Sequence, residues 1–391
     1  MIRMGIDERR ARLVTRHRLA PEHRAETPME VARSLVALHS TDPGTVFLST
    51  WARGKRIAAE DVEQALYADR GLVRVLCMRR TLFVVERELV PVVHAACTRE
   101  IAARERRRLE RFVADSGVAK RPGGWITRAC REALRALEEL GEASTAELVA
   151  AVPMLAARVR LGVGTRFETT QSAGSRILLQ LAMEGRVVRG RARGSWVSGQ
   201  YRWSPTRTWL GEEIAELDAG EARSELARRW LRAFGPATET DLRWWTGWTA
   251  RDARAALTGV AHELVALEGG PGLVLADDLD PIERRGRSAA LLPVLDPTTM
   301  GWKERDWYLG AHGPTLFDRN GNAGPTVWWE GKVVGGWAQR PDGGIAWRLL
   351  EDVGAEARAA IESEAQRLQS WLGEVRVRPG FLPPFQRALA E

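Results

Sequence analysis

An order of secondary-structure elements that recurs three times along the chain constrains the fold more than any other feature. Helical segments precede two strand-like segments over residues 7–113, 126–205 and 222–276. Helices followed by a two-stranded hairpin are typical of a winged helix-turn-helix. We therefore predict a helix-rich α+β protein that is built from tandem winged helix-turn-helix units. No sequence repeat of fixed period accompanies this order, so the prediction rests on the elements themselves.

Breaks in this pattern divide the 391-residue chain into four parts. Glycine and proline residues crowd the segment from Asp115 to Trp125, which we interpret as the first linker. The segment from Asp277 to Ser288 is interpreted as a charged connector. A parallel sheet of four or more strands is not expected in any part. The predicted parts are a first winged-helix unit (1–114), a second unit with a long β-hairpin (125–210), a third unit (220–280), and a C-terminal β-rich region with a terminal helix (288–391).

Local signals position the elements of the first unit. A capping box from Thr27 to Glu30 opens a helix, and the chain leaves that helix before Pro43. Either Thr41 or Asp42 can then cap the next helix. The elements predicted after this break are helices over 44–53 and about 59–69 and hairpin strands over 72–78 and 81–86, which are joined by Arg79 and Arg80.

The balance of charge favours a nucleic-acid partner. The net charge is +7, the pI is about 9.9, and only four of the 58 basic residues are lysine. Arginine binds phosphates and guanine edges through two parallel hydrogen bonds, which a lysine cannot do. Codon bias together with solvated helix faces would give the same composition, so charge alone does not decide the partner.

The predicted hairpin over 186–203 alternates arginines with aromatic residues. This pattern suits phosphate contact combined with base stacking or wedging. A solvated wing with its aromatic side chains in the core would carry the same pattern, and both interpretations stay open. The arginine-rich helix over 104–111 also suits phosphates, although such a run is more often a solvated face. The residues predicted to bind DNA are Arg79, Arg80, Arg186, Arg189, Arg191, Arg193 and Trp196.

Missing motifs exclude several classes of site and enzyme. Cys77, Cys97 and Cys130 lack CxxC spacing and the six histidines form no HxxxH or HExxH, so we expect neither a disulfide nor a bound metal. Without a GxxxxGK[ST], Rossmann or GxSxG motif, an ATPase, a dehydrogenase and an α/β-hydrolase are disfavoured, and no cofactor is expected. The charged N-terminus and the lack of a long apolar run predict a cytoplasmic protein without a membrane partner.

Polar residues that could carry chemistry cluster at the predicted helix–helix junction. His39, Thr41 and Asp42 lie there, where free backbone N–H groups suit an anion or a polarised water. A histidine near a carboxylate can orient such a water. In the structural alternative, Asp42 is a helix cap and His39 is a hydrogen-bonded core residue. Asp296 follows an apolar strand in an Asp-Pro pair and is predicted to be a turn residue.

Three stretches resemble one family, the winged-helix DNA-binding proteins that include the AlkZ DNA glycosylases. They are VARSLVALHSTDPGTVFLSTWARG (31–54), LVRVLCMRRTLFVVE (72–86), and LLPVLDPTTMGWKERDW (291–307) with GNAGPTVWWEGKVVGGWAQR (321–340). The resemblance implies tandem winged helices around a concave basic face for double-stranded DNA, which the C-terminal part closes. It also implies excision of alkylated or bulky-adduct purines, including antibiotic adducts, by a water that a Gln-x-Gln or Gln-x-Asp motif holds.

The chain departs from this family at the motif itself. The motif falls on His39-Ser40-Thr41, so neither glutamine is present. A strand position where the family has a histidine falls on Phe83. We therefore expect His39 to orient the attacking water, Thr41 to hydrogen-bond it, and Asp42 to stabilise the cationic sugar.

The combined prediction is a monomeric DNA glycosylase that acts at the nucleoid on a modified purine, in repair or in self-resistance. The alternative is a non-catalytic winged-helix protein that serves as a regulator or binds a lesion or drug adduct.

Overall fold

The computed structural model describes residues 2–165, 168–282 and 286–391. Helices and small antiparallel sheets follow one another along the chain, and the predicted helix-rich α+β class is confirmed. The predicted connector over 277–288 includes residues 283–285, which lie outside the described residues.

The regular elements are numbered in chain order. The helices are α1 Ile6–Arg16, α2 Pro28–Ser34, α3 Pro43–Arg53, α4 Ala59–Glu63, α5 Val90–Val93, α6 Arg99–Asp115, α7 Pro122–Leu140, α8 Thr145–Ala151, α9 Ala173–Met183, α10 Thr206–Leu210, α11 Ala219–Phe234, α12 Glu239–Thr246, α13 Ala250–Thr258, α14 Asp306–Leu309, α15 Gly313–Leu316, α16 Gly354–Leu372 and α17 Pro384–Ala390. The strands are β1 Ile2–Arg3, β2 Leu38–His39, β3 Leu72–Cys77, β4 Thr81–Glu86, β5 Arg158–Leu161, β6 Thr169–Ser172, β7 Val187–Ala192, β8 Tyr201–Pro205, β9 His262–Leu267, β10 Gly270–Leu275, β11 Ala289–Leu292, β12 Thr326–Trp329, β13 Lys332–Gln339 and β14 Ile345–Leu349.

The first part of the chain contains one strand that the sequence did not predict. The hairpin β3–β4 is antiparallel, as expected, but a short strand, β2, lies between helices α2 and α3 and adds to β4. The backbone of Val36 has a positive φ of 63°, which turns the chain out of α2. Leu38 then pairs with Val84, and His39 pairs with Phe83. The predicted helix–helix junction is therefore a helix–strand–helix junction, with His39 on the strand.

The same order of elements returns twice more. After α7, Ala143 forms a single bridge to Trp203 in β8, and α8, α9 and the hairpin β7–β8 follow. After α11, Ala237 forms a single bridge to Leu273 in β10, and α12, α13 and the hairpin β9–β10 follow. The predicted linker is shorter than expected, because Pro122 at the first helical position starts α7 three residues before Trp125.

Two large buried cores hold most of these elements. The larger core contains residues from α1 to α16 and joins the first and third helix–hairpin segments to the C-terminal part. The second segment, from the end of α6 to β8, has a core of its own. Strands β11 to β14 form an antiparallel sheet in sequential order, and α16 packs against β11, β12 and β14. Within the described residues, parallel pairing is limited to the two-residue strand β1 beside β9 and to a single bridge between Ala25 and Gly54.

A fully buried ion pair fastens α3 to the C-terminal part. The guanidinium of Arg53 donates to both carboxylate oxygens of Asp296, at 2.9 and 2.7 Å, and both side chains are 0% exposed. Asp296 also accepts from the Ser49 hydroxyl at 2.7 Å and from the Thr298 backbone N–H at 2.9 Å. The predicted turn at Asp296 is present. In addition, the carboxylate of Asp296 links two parts of the chain that are 243 residues apart in the sequence.

The hydrogen bonds continue from this pair to the third helix–hairpin segment. Arg53 donates to Thr298 Oγ1 at 2.6 Å, and that hydroxyl lies 2.8 Å from His17 Nδ1. The other ring nitrogen of His17 lies 3.1 Å from the carbonyl oxygen of Ala233 in α11. Because a carbonyl only accepts, Nε2 of His17 carries the proton, Nδ1 accepts from Thr298, and the ring is neutral. Burial and the charge of the nearby Arg53 together lower the pKa of His17 to about 3.

Removing one partner of the buried ion pair should be strongly destabilising. We expect Asp296→Asn to lower the free energy of unfolding by about 3–5 kcal/mol, because the charge of Arg53 is then buried without compensation. Urea unfolding measures this loss. As a matched control, Arg135→Ala removes an arginine that is 71% exposed and lies 3.4 Å from Glu132, and its effect should stay under about 1 kcal/mol. A loss of the same size in both variants would contradict the central role of the pair.

Candidate active site

The end of strand β2 and the start of helix α3 bring the three predicted catalytic residues together. His39 is the last residue of β2, and the Ser40 backbone N–H donates to the Leu82 carbonyl at 2.9 Å, which prolongs the pairing with β4 by one residue. Asp42 is the N-cap of α3 and Pro43 is its first residue. Thr41 lies between them and is exposed. The chain thus passes from a buried strand to a capped helix in four residues.

The imidazole of His39 is buried and neutral. Its side chain is 5% exposed and packs edge-on against the Phe83 ring, with ring centroids 5.2 Å apart. Burial lowers the pKa of His39 to about 3, and the charge of Arg79 contributes to the lowering. The Thr41 backbone N–H points at Nδ1 over 3.4 Å. Since Nδ1 is then the acceptor, Nε2 carries the proton and is a hydrogen-bond donor.

Asp42 serves as a helix cap and as a tie to the C-terminal tail. Its Oδ1 accepts from the Gly44 N–H at 3.1 Å, and its Oδ2 accepts from the Gly380 N–H at 2.9 Å. The side chain is buried, and burial raises its pKa above the usual value although both hydrogen bonds act in the opposite direction. The structural interpretation of Asp42 as a cap is confirmed. Its carboxylate also remains a candidate for stabilising positive charge, because each oxygen retains a free lone pair.

Ser40 connects the motif to a buried arginine that the sequence analysis missed. Ser40 is 0% exposed, and its hydroxyl accepts from Arg74 Nε at 3.2 Å. Arg74 Nη1 in turn donates to the Tyr67 hydroxyl at 2.8 Å. The sequence did contain an indication of this contact, because the charged Arg74 interrupts the otherwise apolar strand β3. A buried charge in such a strand requires a polar partner nearby.

The tip of the hairpin β7–β8 lies over the start of α3. Trp196 is half-buried and stacks on Phe47 with ring centroids 4.7 Å apart. A Cβ at Gly44 would lie 3.7 Å from the Trp196 ring and only 3.0 Å from Val377 Cγ1, so the glycine permits this close approach. The structure thus brings Trp196 to the predicted catalytic stretch, where one face of its ring is covered by protein.

The arginines of this hairpin have different surroundings. Arg189 is half-buried under Tyr201 and Trp203, at 5.7 and 5.1 Å from their ring centroids. Arg191 forms a 2.6 Å ion pair with Glu63. Arg193 is exposed and forms no ion pair with the described residues. Arg186 is exposed at the opposite end of β7, so the structure does not bring it to the tip.

The turn of the first hairpin separates its two predicted DNA-binding arginines. Arg80 is exposed and forms a 2.7 Å ion pair with Glu105. Arg79 is partly buried, and its guanidinium lies over the Trp244 ring at 4.2 Å from the centroid. On the neighbouring helix α6, the exposed members of the basic run are Arg104, Arg107, Arg108 and Arg111.

The described residues contain no group of three or more His, Cys, Asp and Glu side chains that could hold a metal ion. Cys77, Cys97 and Cys130 are buried and free. None of the described helices is long and apolar enough to cross a membrane. What the site offers is therefore a neutral N–H donor, an exposed hydroxyl and one carboxylate, all beside the N-terminus of α3.

Comparison with known proteins gives two matches. A family model described as DNA glycosylase AlkZ-like matches residues 32–371. Among solved structures, the Streptomyces sahachiroi DNA glycosylase AlkZ is similar, with a TM-score of 0.74 and 20% sequence identity over 96% of this chain and 99% of that chain. At this identity the structural likeness establishes a shared fold. A search of curated proteins returned no match.

The neutral state of His39 should be visible in the pH dependence of stability. Its folded pKa of about 3 lies below the ordinary value of 6.5. Below pH 6.5 the imidazole of His39 is protonated in the unfolded chain but stays neutral in the folded protein. The free energy of unfolding therefore decreases as the pH falls. Between pH 7.5 and 5, the wild-type protein should lose about 2 kcal/mol more unfolding free energy than His39→Gln. The contribution of His17 is the same in both proteins and does not affect the difference. Identical losses of unfolding free energy in the two proteins would mean that His39 is not held neutral.

Proposed function

The chain belongs to the DNA glycosylase AlkZ-like family, and from this premise we propose that it hydrolyses the N-glycosidic bond of alkylated or bulky-adduct purines in double-stranded DNA. Membership in an enzyme family disfavours the alternative of a non-catalytic regulator or adduct binder. We further propose that the protein acts as a monomer at the nucleoid in the cytoplasm, in repair or in self-resistance.

One observation carries the proposal for the site. A buried, neutral imidazole with a free N–H donor ends β2, and the exposed Thr41 follows two residues later. The Thr41 hydroxyl forms no hydrogen bond with the described residues. A water that accepts from His39 Nε2 and hydrogen-bonds to Thr41 would therefore be held by two groups with defined directions. These are the positions where the family has its glutamines.

The reaction needs little acid catalysis. An N7- or N3-alkylated purine is cationic and leaves as a neutral base, taking the electron pair of the C1′–N bond with it. The sugar is then an oxocarbenium ion, and the held water adds its oxygen to C1′ and releases a proton to solvent. His39 cannot accept that proton through Nε2, because this nitrogen is already protonated. Its contribution is therefore to position the water.

Asp42 supplies the negative charge in this proposal. Its carboxylate lies three residues from His39, and the N–H groups of Gly44 and Gly380 hold it in place. A fixed carboxylate stabilises the positive charge that develops on the sugar more effectively than mobile water does. Asp42 would thus orient the helix and stabilise the transition state with the same group.

The relation of His39 to Phe83 supports a rearranged version of the family's site. The family has a histidine at the position of Phe83, and the structure pairs that position directly with His39 across β2 and β4. We propose that the imidazole enters this site from β2 instead of β4. The two positions are neighbours, so the ring remains in the same part of the molecule while its attachment changes.

Excision by variants at position 39 tests the proposal. A duplex with one N7-methylguanine should acquire an abasic site under single-turnover conditions, measured by strand cleavage in alkali. His39→Gln provides a neutral amide that can hold the water and should stay within about tenfold of the wild-type rate. His39→Leu removes the donor and should be about 100-fold slower or worse. Wild-type inactivity on this lesion and on a bulky N7 adduct would favour the binding alternative.

Asp42→Asn requires a stability control in the same assay. Whichever way its amide is turned, the NH2 group faces the N–H of either Gly44 or Gly380, so one hydrogen bond is lost at a cost of about 1–3 kcal/mol. The rate should fall by at least about 100-fold at a temperature where the variant is fully folded. Full activity in the folded variant would leave Asp42 as a helix cap only.

Salt dependence of DNA binding tests the hairpin. Arg193 has no ion-pair partner among the described residues, whereas Arg191 is paired with Glu63. If Arg193 contacts a phosphate, Arg193→Ala should make the log–log salt slope shallower by about 0.9. The matched change Arg191→Ala should alter the slope less. Equal and unchanged slopes would exclude the hairpin tip from the DNA interface.

A further inference from the structure

Two arginines share one tryptophan beside the candidate active site. The guanidinium carbon of Arg79, at the turn of the first hairpin, lies 4.2 Å from the Trp244 ring centroid. That of Arg305, at the start of α14, lies 5.2 Å from the same centroid and 4.8 Å from that of Phe317. Trp244 itself belongs to α12. Three parts of the chain that are distant in sequence therefore meet at one pair of positive charges.

No carboxylate among the described residues neutralises either charge. Neither Arg79 nor Arg305 forms an ion pair with any described carboxylate. Arg79 Nε is buried without a hydrogen-bond partner, whereas the other guanidinium nitrogens are not among the buried unpaired atoms. Burial lowers the pKa of Arg79 to about 10, and the like charge of Arg305 contributes to the lowering. Two like charges held together at a partly buried site favour the binding of an anion, and the described residues supply none.

The backbone holds Arg79 in a strained position. Its φ is 55°, and that of Arg80 is 59°, both in the left-handed region. Gly247, with φ of 80° at the end of α12, lies against this turn, and a Cβ there would be 3.1 Å from Arg79 Cγ. Left-handed conformations of ordinary residues cost about 1–3 kcal/mol each and persist where the surroundings impose them. The contact with α12 thus fixes the direction of the Arg79 side chain.

This cluster lies near the end of β2. Arg79 precedes Leu82 by three residues, the Leu82 carbonyl accepts from the Ser40 N–H, and the charge of Arg79 contributes to the lowered pKa of His39. Trp244, Phe317 and Phe381 pack against one small core, and Phe381 directly follows Gly380, whose N–H donates to Asp42. A ligand bound to the two arginines would therefore lie next to the proposed reacting sugar.

We propose that Arg79 and Arg305, stacked on Trp244, clamp one backbone phosphodiester of the target strand beside the nucleotide whose base is excised. A DNA phosphodiester is the anion that such a site would meet, and guanidinium groups bind it through paired, charge-assisted hydrogen bonds. The phosphate would compensate the two like charges and fix the sugar relative to the water held by His39. This inference rests on the proposed function for its location and concerns DNA binding only.

A binding cycle with neutralised linkages tests the clamp. The DNA is a duplex with a non-cleavable tetrahydrofuran abasic analogue, in which each of the two flanking phosphodiesters is replaced in turn by a methylphosphonate. Fluorescence anisotropy gives the affinity of wild type, Arg79→Gln and Arg305→Gln, with Arg135→Ala as an exposed, ion-paired control. Each Gln variant should bind the natural backbone about tenfold more weakly, with a salt slope shallower by about 1.

The decisive result is the coupling between the arginine substitution and the methylphosphonate linkage. At one linkage the methylphosphonate should weaken wild type and Arg135→Ala about 100-fold but Arg79→Gln and Arg305→Gln only about tenfold, because each Gln variant has already lost one of the two arginine contacts. If the methylphosphonates weaken all four proteins equally at both linkages, the clamp is refuted. The assay needs no base excision, so an inactive protein that shows the coupling would refute the proposed function while the clamp stands. Circular dichroism confirms that both Gln variants are folded.

Discussion

The buried ion pair between Arg53 and Asp296 is the interaction on which the rest of the molecule depends. It fixes the C-terminal end of α3 to the loop before Thr298, and the hydrogen bonds continue through His17 to the carbonyl of Ala233 in α11. The first and third helix–hairpin segments and the C-terminal part are thereby held in one arrangement around one core. Because α3 carries the candidate site at its other end, the position of that site relative to the C-terminal tail is set by this pair.

The two ends of α3 differ in how the charges of their side chains are compensated. At the buried end, Arg53 and Asp296 form an ion pair with two hydrogen bonds, although Arg53 Nε has no hydrogen-bond partner among the described residues. At the functional end, burial keeps His39 neutral, Asp42 accepts from two backbone N–H groups, and Arg79 has no anionic partner among the described residues. A charge such as that of Arg79, which has no anionic partner among these residues, lowers the stability of the fold. Unfavourable arrangements of this kind are concentrated at sites that a ligand completes.

Local features of the structure could be read from the sequence, whereas long-range ones could not. The cap at Asp42 and the hairpin β3–β4 follow from residue types within a few positions, and both are confirmed. Strand β2 was missed because two residues carry no periodicity, and its pairing with β4 depends on the fold. The ion pair of Asp296 and the stacking of Arg305 on Trp244 join residues whose proximity no local pattern encodes. The roles of the site residues therefore remain predictions.

The central claim is that the reacting sugar lies at the end of β2. The most direct measurement is a crystal structure of the protein bound to duplex DNA that carries a cationic azasugar in place of the damaged nucleotide, as a mimic of the oxocarbenium ion. The account predicts a water within about 2.6–3.2 Å of both His39 Nε2 and the Thr41 hydroxyl, adjacent to the azasugar nitrogen, with the Asp42 carboxylate on the same side. An azasugar bound elsewhere on the protein, with no ordered water at His39, would contradict it.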